Sequence, residues 1–277
     1  MGLDLSSKPS CRICGSSRCS VQLTETRTSR IQEVGGGPIF RCDNCGIVFA
    51  ATPPKVEYDA EYYRTFPNPG GYDHPPPHLA RRLAGVEKHL GTDRHLSILD
   101  FGCSRCIFLR LARDRGHRVK GVDISPEATR EAAAHALDVW SGDILSAPFE
   151  AGSFDFIHGN HVLEHLDRPL QALRRLRELI SGSGLLIIEV PNEFRHLSFI
   201  VKKSLVPDAL RMAVPTLHTF FFTPATLRST LAKAGFQVFK LTTPSRNSDG
   251  EVLSGWRWRI QDRCRLGSNI EAWCRPA

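Results

Sequence analysis

The sequence predicts an α/β fold, a doubly wound parallel sheet preceded by a small metal-binding ribbon, and three observations carry that prediction. From Leu79 onward, short apolar runs alternate with helical apolar patterns, the mark of a parallel sheet covered by helices on both faces. Ahead of this region, Cys11, Cys14, Cys19, Cys42 and Cys45 crowd into the first 45 residues, whereas the rest of the nine cysteines are scattered. Between the two lies a segment holding all four tyrosines, Tyr58, Tyr62, Tyr63 and Tyr72, which runs into the Pro- and Gly-rich stretch Pro67 to Pro77. Proline there is stiff and cannot continue a helix. The expected division is therefore 1–58 ribbon, 59–78 Tyr/Pro-rich linker and 79–277 α/β domain.

The elements follow in order. Ser97 to Phe101 reads as the first strand of the domain and Ile107 to Arg115 as the helix after it. Val119 to Asp123 is the second strand, after which Ser125 supplies an N-cap and Pro126 a first-turn proline for a helix over Glu127 to Leu137. Val139 to Ser141, Phe154 to His158 and Leu185 to Val190 continue the sheet. Leu166, Leu170, Leu173, Leu176 and Leu179 recur at helical spacing and read as core. Beyond Pro191 the pattern loosens into an insert. Thr223 and Pro224 then open a helix that Gly235 ends, Phe236 to Leu241 is a strand, and Gly267 to Cys274 can supply the last one.

Composition narrows the functional classes. With 277 residues, 41% hydrophobic and 23% charged, the chain is large enough for one sizeable core plus a small module, which excludes disordered and fibrous classes. No apolar run approaches the roughly 20 residues a membrane span requires. The N-terminus lacks a charged start followed by an apolar core, so a cytoplasmic, reducing setting without disulfides is expected. Met1-Gly2 with Ser6 matches the bare N-myristoylation pattern, which is short enough to arise by chance. The formal charge of +7 falls to mildly basic once four zinc-bound thiolates are counted, so nucleic acid is permitted as a partner but not favoured. Oligomeric state is not legible.

Two constellations carry chemistry. Cys11-Arg12-Ile13-Cys14-Gly15 and Cys42-Asp43-Asn44-Cys45-Gly46 are paired C-x2-C-G knuckles. The glycine after each pair lets the backbone turn its amides toward the thiolates, and four sulfurs close a tetrahedral site with no open position. Cys11, Cys14, Cys42 and Cys45 are thus expected to hold a structural Zn²⁺, with Cys19 incidental. In the second constellation, the strand ending at Asp100 enters the small-residue turn Phe101-Gly102-Cys103-Ser104-Arg105-Cys106 before a helix, where backbone can approach a ligand closely. Asp123, at the end of the next strand, is placed to accept both hydroxyls of a ribose. A nicotinamide dinucleotide is the rival ligand, but Cys106 interrupts the glycine run that pyrophosphate prefers.

The motifs D-F-G-C-S-R-C, V-D-I-S-P, S-G-D-I, F-D-F-I…H-V-L-E-H and H-T-F-F-F-T-P-A-T-L occur in one order, and through them residues 79–277 resemble the class I S-adenosylmethionine-dependent methyltransferases. The resemblance implies a Rossmann-like, doubly wound, seven-stranded methyltransferase sheet and S-adenosylmethionine as cofactor. It implies that Asp100, Gly102 and Ser104 lie by the methionine end, that Asp123 holds the ribose with Ile124 beside it, and that Asp143 and Ile144 frame the adenine. Asn160 and His161 then line the methionine side. The chain departs from the family at Cys106, where the turn has its last glycine; a Cβ and sulfur there crowd the ligand if the backbone needs a positive φ.

On the acceptor side, one helical turn after the fourth strand brings His161 beside Glu164 and His165, and His218 lies in the insert expected to fold over the same edge. The pattern resembles the E-x-x-E-H plus distant His that binds a divalent cation in ubiquinone-pathway and small-RNA 2′-O-methyltransferases, with His161 standing where the first Glu would be. That change disfavours Mg²⁺ and favours a softer ion. In a metal-free alternative His165 is the general base and Glu164 holds its tautomer; in a third, V-L-E-H only packs and caps. The expected reaction is methyl transfer to an oxygen or carbon nucleophile of a small molecule, and ribbon-bearing relatives suggest a sugar or secondary metabolite. An RNA-directed 2′-O-methyltransferase and a non-catalytic binding module are the alternatives. The run Trp256, Arg257, Trp258, Arg259, Arg263 and Arg265 reads either as a contact for a phosphate-bearing substrate or as a solvated basic face with two half-buried tryptophans.

Overall fold

A computed structural model describes residues 9–23, 37–54, 58, 75–91, 94–193, 217–246, 251–253 and 255–277. The myristoylation pattern, most of the Tyr/Pro-rich linker and residues 194–216 of the insert lie outside them. Seven strands form the main sheet: β4 (Ser97–Phe101), β5 (Arg118–Asp123), β6 (Asp138–Ser141), β7 (Phe154–Asn160), β8 (Ile180–Pro191), β10 (Phe236–Thr242) and β11 (Asn269–Pro276). Their order is β10-β11-β8-β7-β4-β5-β6; β11 runs antiparallel to both neighbours, and the pairs among β8, β7, β4, β5 and β6 are parallel. The helices are α1 (Pro77–Leu90), α2 (Ile107–Asp114), α3 (Pro126–Ala134), α4 (Pro169–Leu179), α5 (Pro224–Lys233) and α6 (Trp256–Arg263).

Local chemistry accounts for the boundaries. The Ser125 hydroxyl accepts from Glu127 N at the start of α3, with Pro126 in the first turn. Thr223 and Thr226 close a reciprocal capping box on α5, and Gly235 beyond its end has φ +86. The leucine stripe differs from expectation at one end. Leu166 precedes α4, because Pro169 fixes the first turn and disfavours helical geometry at Arg168 before it. Leu173, Leu176 and Leu179 are fully buried, as core residues should be.

The N-terminal strands β1 (Cys19–Leu23), β2 (Ile39–Cys42) and β3 (Val48–Ala50) form a second, antiparallel sheet. Its fourth strand is β9 (Phe220–Phe221), contributed by the segment just before α5. Phe49 and Phe220 pack ring against ring at 6.3 Å, and the Arg12 guanidinium lies 5.1 Å above the Phe220 ring. One continuous core joins Cys11, Phe40 and Phe49 to Phe222, Leu227 and Leu173. The two sheets therefore share an interior, which places the N-terminal region against the segment that carries His218.

Candidate active site

The turn after β4 is built from alternating left-handed residues: Gly102 (φ +74), Ser104 (φ +47) and Cys106 (φ +56). A Cβ at Gly102 would stand 2.7 Å from Val162 Cγ2, so the position admits no side chain. Cys106 does carry one in this geometry, at a cost of about 1–2 kcal/mol. It is offset by burial of the thiol among Leu109, Ala128 and Ala132. Asp123 organises the loop from the next strand. Its Oδ2 accepts from Ser104 N and its Oδ1 from Ser125 N, both at 2.8 Å. Burial raises the Asp123 carboxyl above its ordinary pKa, although these backbone donors oppose the shift. Beside it Ile124 is 65% exposed, a large apolar side chain facing solvent next to a carboxylate. Asp143 closes its own turn by accepting from Leu145 N at 3.0 Å, and Ile144 is buried.

The acceptor-side residues come together after β7. His161 adopts φ +52, and Leu163–His165 forms a single 3₁₀ turn rather than an α-helical one. His161 Nδ1 lies 3.2 Å from Glu164 Oε1, and its Nε2 lies 3.3 Å from Glu189 Oε1. Its side chain keeps 38% of its surface exposed, and the partial desolvation is outweighed by hydrogen bonds to the two carboxylates, which lift its pKa to about 10. His161 is thus an imidazolium that donates from both nitrogens, which leaves it no lone pair for a proton or a metal.

His165 is its opposite. Burial lowers its pKa to about 4, with the attraction of Glu164 insufficient to compensate. Its Nδ1 donates to Leu217 O at 3.1 Å, which fixes the tautomer and leaves Nε2, 3.9 Å from Glu164 Oε1, without a hydrogen bond among the described residues. His218 packs edge-on against it at 4.7 Å and donates Nδ1 to Glu193. Glu164, His165 and His218 each offer a ligand atom, and these atoms lie within 4.8 Å of one another. The Tyr58 ring stands edge-on to His165 at 6.3 Å, and Tyr58 O accepts from the Ser125 hydroxyl at 2.7 Å.

A family model described as "Methyltransferase domain" matches residues 74–241. The chain belongs to that family. Among curated proteins, this methyltransferase is 27% identical over 184 residues to a ubiquinone biosynthesis O-methyltransferase of Xanthomonas axonopodis pv. citri (strain 306), an alignment covering 63% of this chain and 72% of that one. It is 31% identical over 169 residues to ajmaline N-methyltransferase of Rauvolfia serpentina, covering 55% of this chain and 56% of that protein. A S-adenosylmethionine-dependent methyltransferase from Archaeoglobus fulgidus superposes with TM-score 0.51 at 20% identity, covering 71% of this chain and 92% of that chain. The complex of the Haloferax volcanii Trm112 methyltransferase activator with a putative methyltransferase superposes with TM-score 0.54 at 16% identity, over 80% and 98%. The protein is a S-adenosylmethionine-dependent methyltransferase with the fold of these structures.

Several residues of the methyltransferase site were not anticipated from its sequence. Arg82 on α1 is 3% exposed, and its Nη2 donates to Glu189 Oε2 at 2.6 Å and to Glu271 Oε2 at 2.7 Å. Its Nη1 reaches His158 Nε2 at 2.6 Å and Asn160 Oδ1 at 3.2 Å. Because Arg82 can only donate to His158 Nε2, the ring's Nδ1 donates to Asp100 Oδ1 at 2.7 Å, and burial lowers the His158 pKa. Arg246 closes the other side of Glu189. Glu189 had a signal, being the one acid within the apolar run Leu185 to Val190. Arg82 had one as well, since it stands on the apolar face of its helix, three residues after Leu79 and four before Val86.

Beside the N-terminal sheet, the Cys11 and Cys45 sulfurs lie 3.7 Å apart and those of Cys14 and Cys42 3.5 Å apart. Four thiolates at about 2.3 Å from a tetrahedral Zn²⁺ stand about 3.8 Å from each other, so the spacing fits. Gly15 (φ +72) and Gly46 (φ +76) make the two turns. Burial opposes ionisation of Cys14, but Asn44 and the Ser16 amide outweigh it and lower its pKa to about 6. Cys19 sits opposite Cys42 in the β1–β2 pair but outside the four-sulfur cluster, its sulfur directed at Ser16 O.

Proposed function

We propose that this methyltransferase transfers a methyl group to an oxygen or carbon nucleophile of a small molecule, with His165 taking the acceptor's proton. The observation that carries this reading is the placement of His165, whose Nδ1 donates to Leu217 O and whose Nε2, 3.9 Å from Glu164 Oε1, makes no hydrogen bond among the described residues. Bound S-adenosylmethionine supplies an electrophilic methyl group on a sulfonium. Asp123 holds the ribose with Ile124 as an apolar face beside it, Asp143 and Ile144 frame the base, and Asp100, Gly102, Ser104 and Asn160 shape the methionine end. His161 is a positioning residue that locks Glu164 and Glu189 together. The ubiquinone-pathway and ajmaline relatives favour a small acceptor over RNA, and a sugar or other secondary metabolite is the class we assign.

A divalent cation held by Glu164, His165 and His218 is a second reading, favoured by one observation: Glu164 Oε2 is buried with no hydrogen-bond partner among the described residues. Two imidazoles and one carboxylate suit a borderline ion better than Mg²⁺. In the ribbon, Cys11, Cys14, Cys42 and Cys45 hold a structural Zn²⁺, in keeping with a reducing cytoplasmic setting. The units are 1–58, 59–78 and 79–277, with β9 lending the ribbon its last strand.

Turnover of His165→Ala and His218→Ala on a confirmed acceptor, with and without EDTA, tests these roles. Loss of turnover in His165→Ala without EDTA sensitivity supports the base. Wild-type turnover that EDTA abolishes while the ribbon zinc stays bound selects the metal, and full activity in both variants eliminates both readings. Binding of S-adenosylmethionine is tested separately by Asp123→Ala, which should abolish it.

A further inference from the structure

A cavity of about 310 Å³ opens at the C-terminal end of β10, between α1 and α6. Its walls include Arg81, Arg82, Lys240, Arg246 and Arg259, set against only Asp262 and Glu271 as acids. Arg82 and Arg246 are neutralised by Glu189 and Glu271. Arg81, Lys240 and Arg259 have no carboxylate partner among the described residues, and all three are exposed at the cavity's rim. Asp262 is turned to another cation, its Oδ1 standing 3.9 Å from Arg265 Nη1 while also accepting from the Thr243 hydroxyl. Two indoles complete the lining, Trp258 half-buried and Trp273 with Lys240 Nζ 4.5 Å from its ring. Three convergent cations with no carboxylate partner among the described residues, around a concave, aromatic-walled space, attract a compact anion of more than one charge.

The cavity adjoins the reaction edge. Arg82 forms part of its floor, and the same guanidinium reaches Asn160 Oδ1 at 3.2 Å on the cofactor side. Of the basic run in the C-terminal region, Trp258 and Arg259 face this space, whereas Trp256 is 69% exposed and lies outside it.

We propose that this cavity binds a phosphate or diphosphate group carried by the methyl acceptor, with Arg81, Lys240 and Arg259 as its anion contacts. The proposal deepens the assignment of a small-molecule acceptor and rests on it. Arginines at two of three positions suit bidentate contact with phosphate oxygens, and the indole walls exclude water from the attached carbon skeleton.

The test is calorimetric titration of the full chain with inorganic pyrophosphate and, in parallel, with malonate. S-adenosylhomocysteine is titrated into every variant as a control on the cofactor site. Pyrophosphate should bind, and Arg81→Ala, Lys240→Ala and Arg259→Ala should each weaken it about tenfold, with S-adenosylhomocysteine affinity unchanged. All three side chains are exposed, so the variants should fold. Absent pyrophosphate binding, or binding indifferent to these substitutions, overturns the site. Malonate binding as tightly as pyrophosphate overturns phosphate in favour of a carboxylate acceptor. Failure to bind S-adenosylhomocysteine in the wild type would instead count against the methyl-transfer reading itself.

Discussion

Arg82 is where a single side chain has most leverage. It is buried between Glu189 and Glu271, and it also holds His158 and Asn160. Removing one partner of a buried pair leaves uncompensated charge, so Arg82→Ala should lower unfolding free energy by about 3–5 kcal/mol. Urea unfolding at pH 7 measures it, and a loss below about 1 kcal/mol would mean that water or Arg246 replaces the guanidinium. Cys106→Gly has the opposite balance. Glycine relieves the left-handed φ of +56 by about 1 kcal/mol, while loss of the buried thiol costs a similar amount. Stability should change by less than about 1 kcal/mol, and cofactor affinity should stay equal or improve. A tenfold weaker affinity would show that the sulfur itself serves the site. The residue type and position of Cys106 alone point to this strain, whereas its compensation by packing comes from the distant neighbours Ala128 and Ala132.

At the scale of elements, β9 links the ribbon to the acceptor side. It is two residues long, with Phe220 paired to Phe49 and Phe221 to Val48, and His218 stands just before it. A two-residue strand has no period to read, which is why the sequence showed two modules and not their shared sheet. The four cysteines were legible because metal-ligand spacing is local, with each knuckle needing only two residues between its sulfurs. Since β3 pairs with β9, removal of the proposed zinc should loosen more than the ribbon. With roughly 10–16 kcal/mol of metal binding coupled to ribbon folding, chelation should expose the amides of β1, β2 and β3 to hydrogen exchange, and those of Phe220 and Phe221 with them. Strands β4, β7 and β8 should keep their protection. Unchanged exchange at Phe220 after zinc loss would mean that β9 is held by the α/β core alone.

Across the whole molecule, the central strands and the turn after β4 were legible because apolar periodicity and helix caps are local signals. The charge network beneath them was not, because Arg82, Glu189, Arg246 and Glu271 meet only when α1, β8, β11 and the segment after β10 are assembled. That network gives the fold a defined response to acid. Burial works against the Glu189 and Glu271 carboxylates, yet Arg82 outweighs it for both and is joined at Glu189 by His161 and Arg246; both pKa values fall below the ordinary 4.5. A carboxylate depressed in the folded state binds fewer protons there than in the unfolded chain. Its contribution is therefore fully present above about pH 4.5 and is lost as pH falls through the folded-state value. Asp123 and Glu193 are shifted the other way by burial, so they weaken the fold as pH rises past their ordinary values and partly oppose this trend. The two contributions separate in Glu189→Gln, which removes the strongly depressed group and leaves the raised ones. Urea midpoints measured from pH 6 to pH 3 should fall steeply below pH 4.5 in the wild type and less steeply in the variant. Parallel curves would show that acid sensitivity arises from surface carboxylates and not from this buried network.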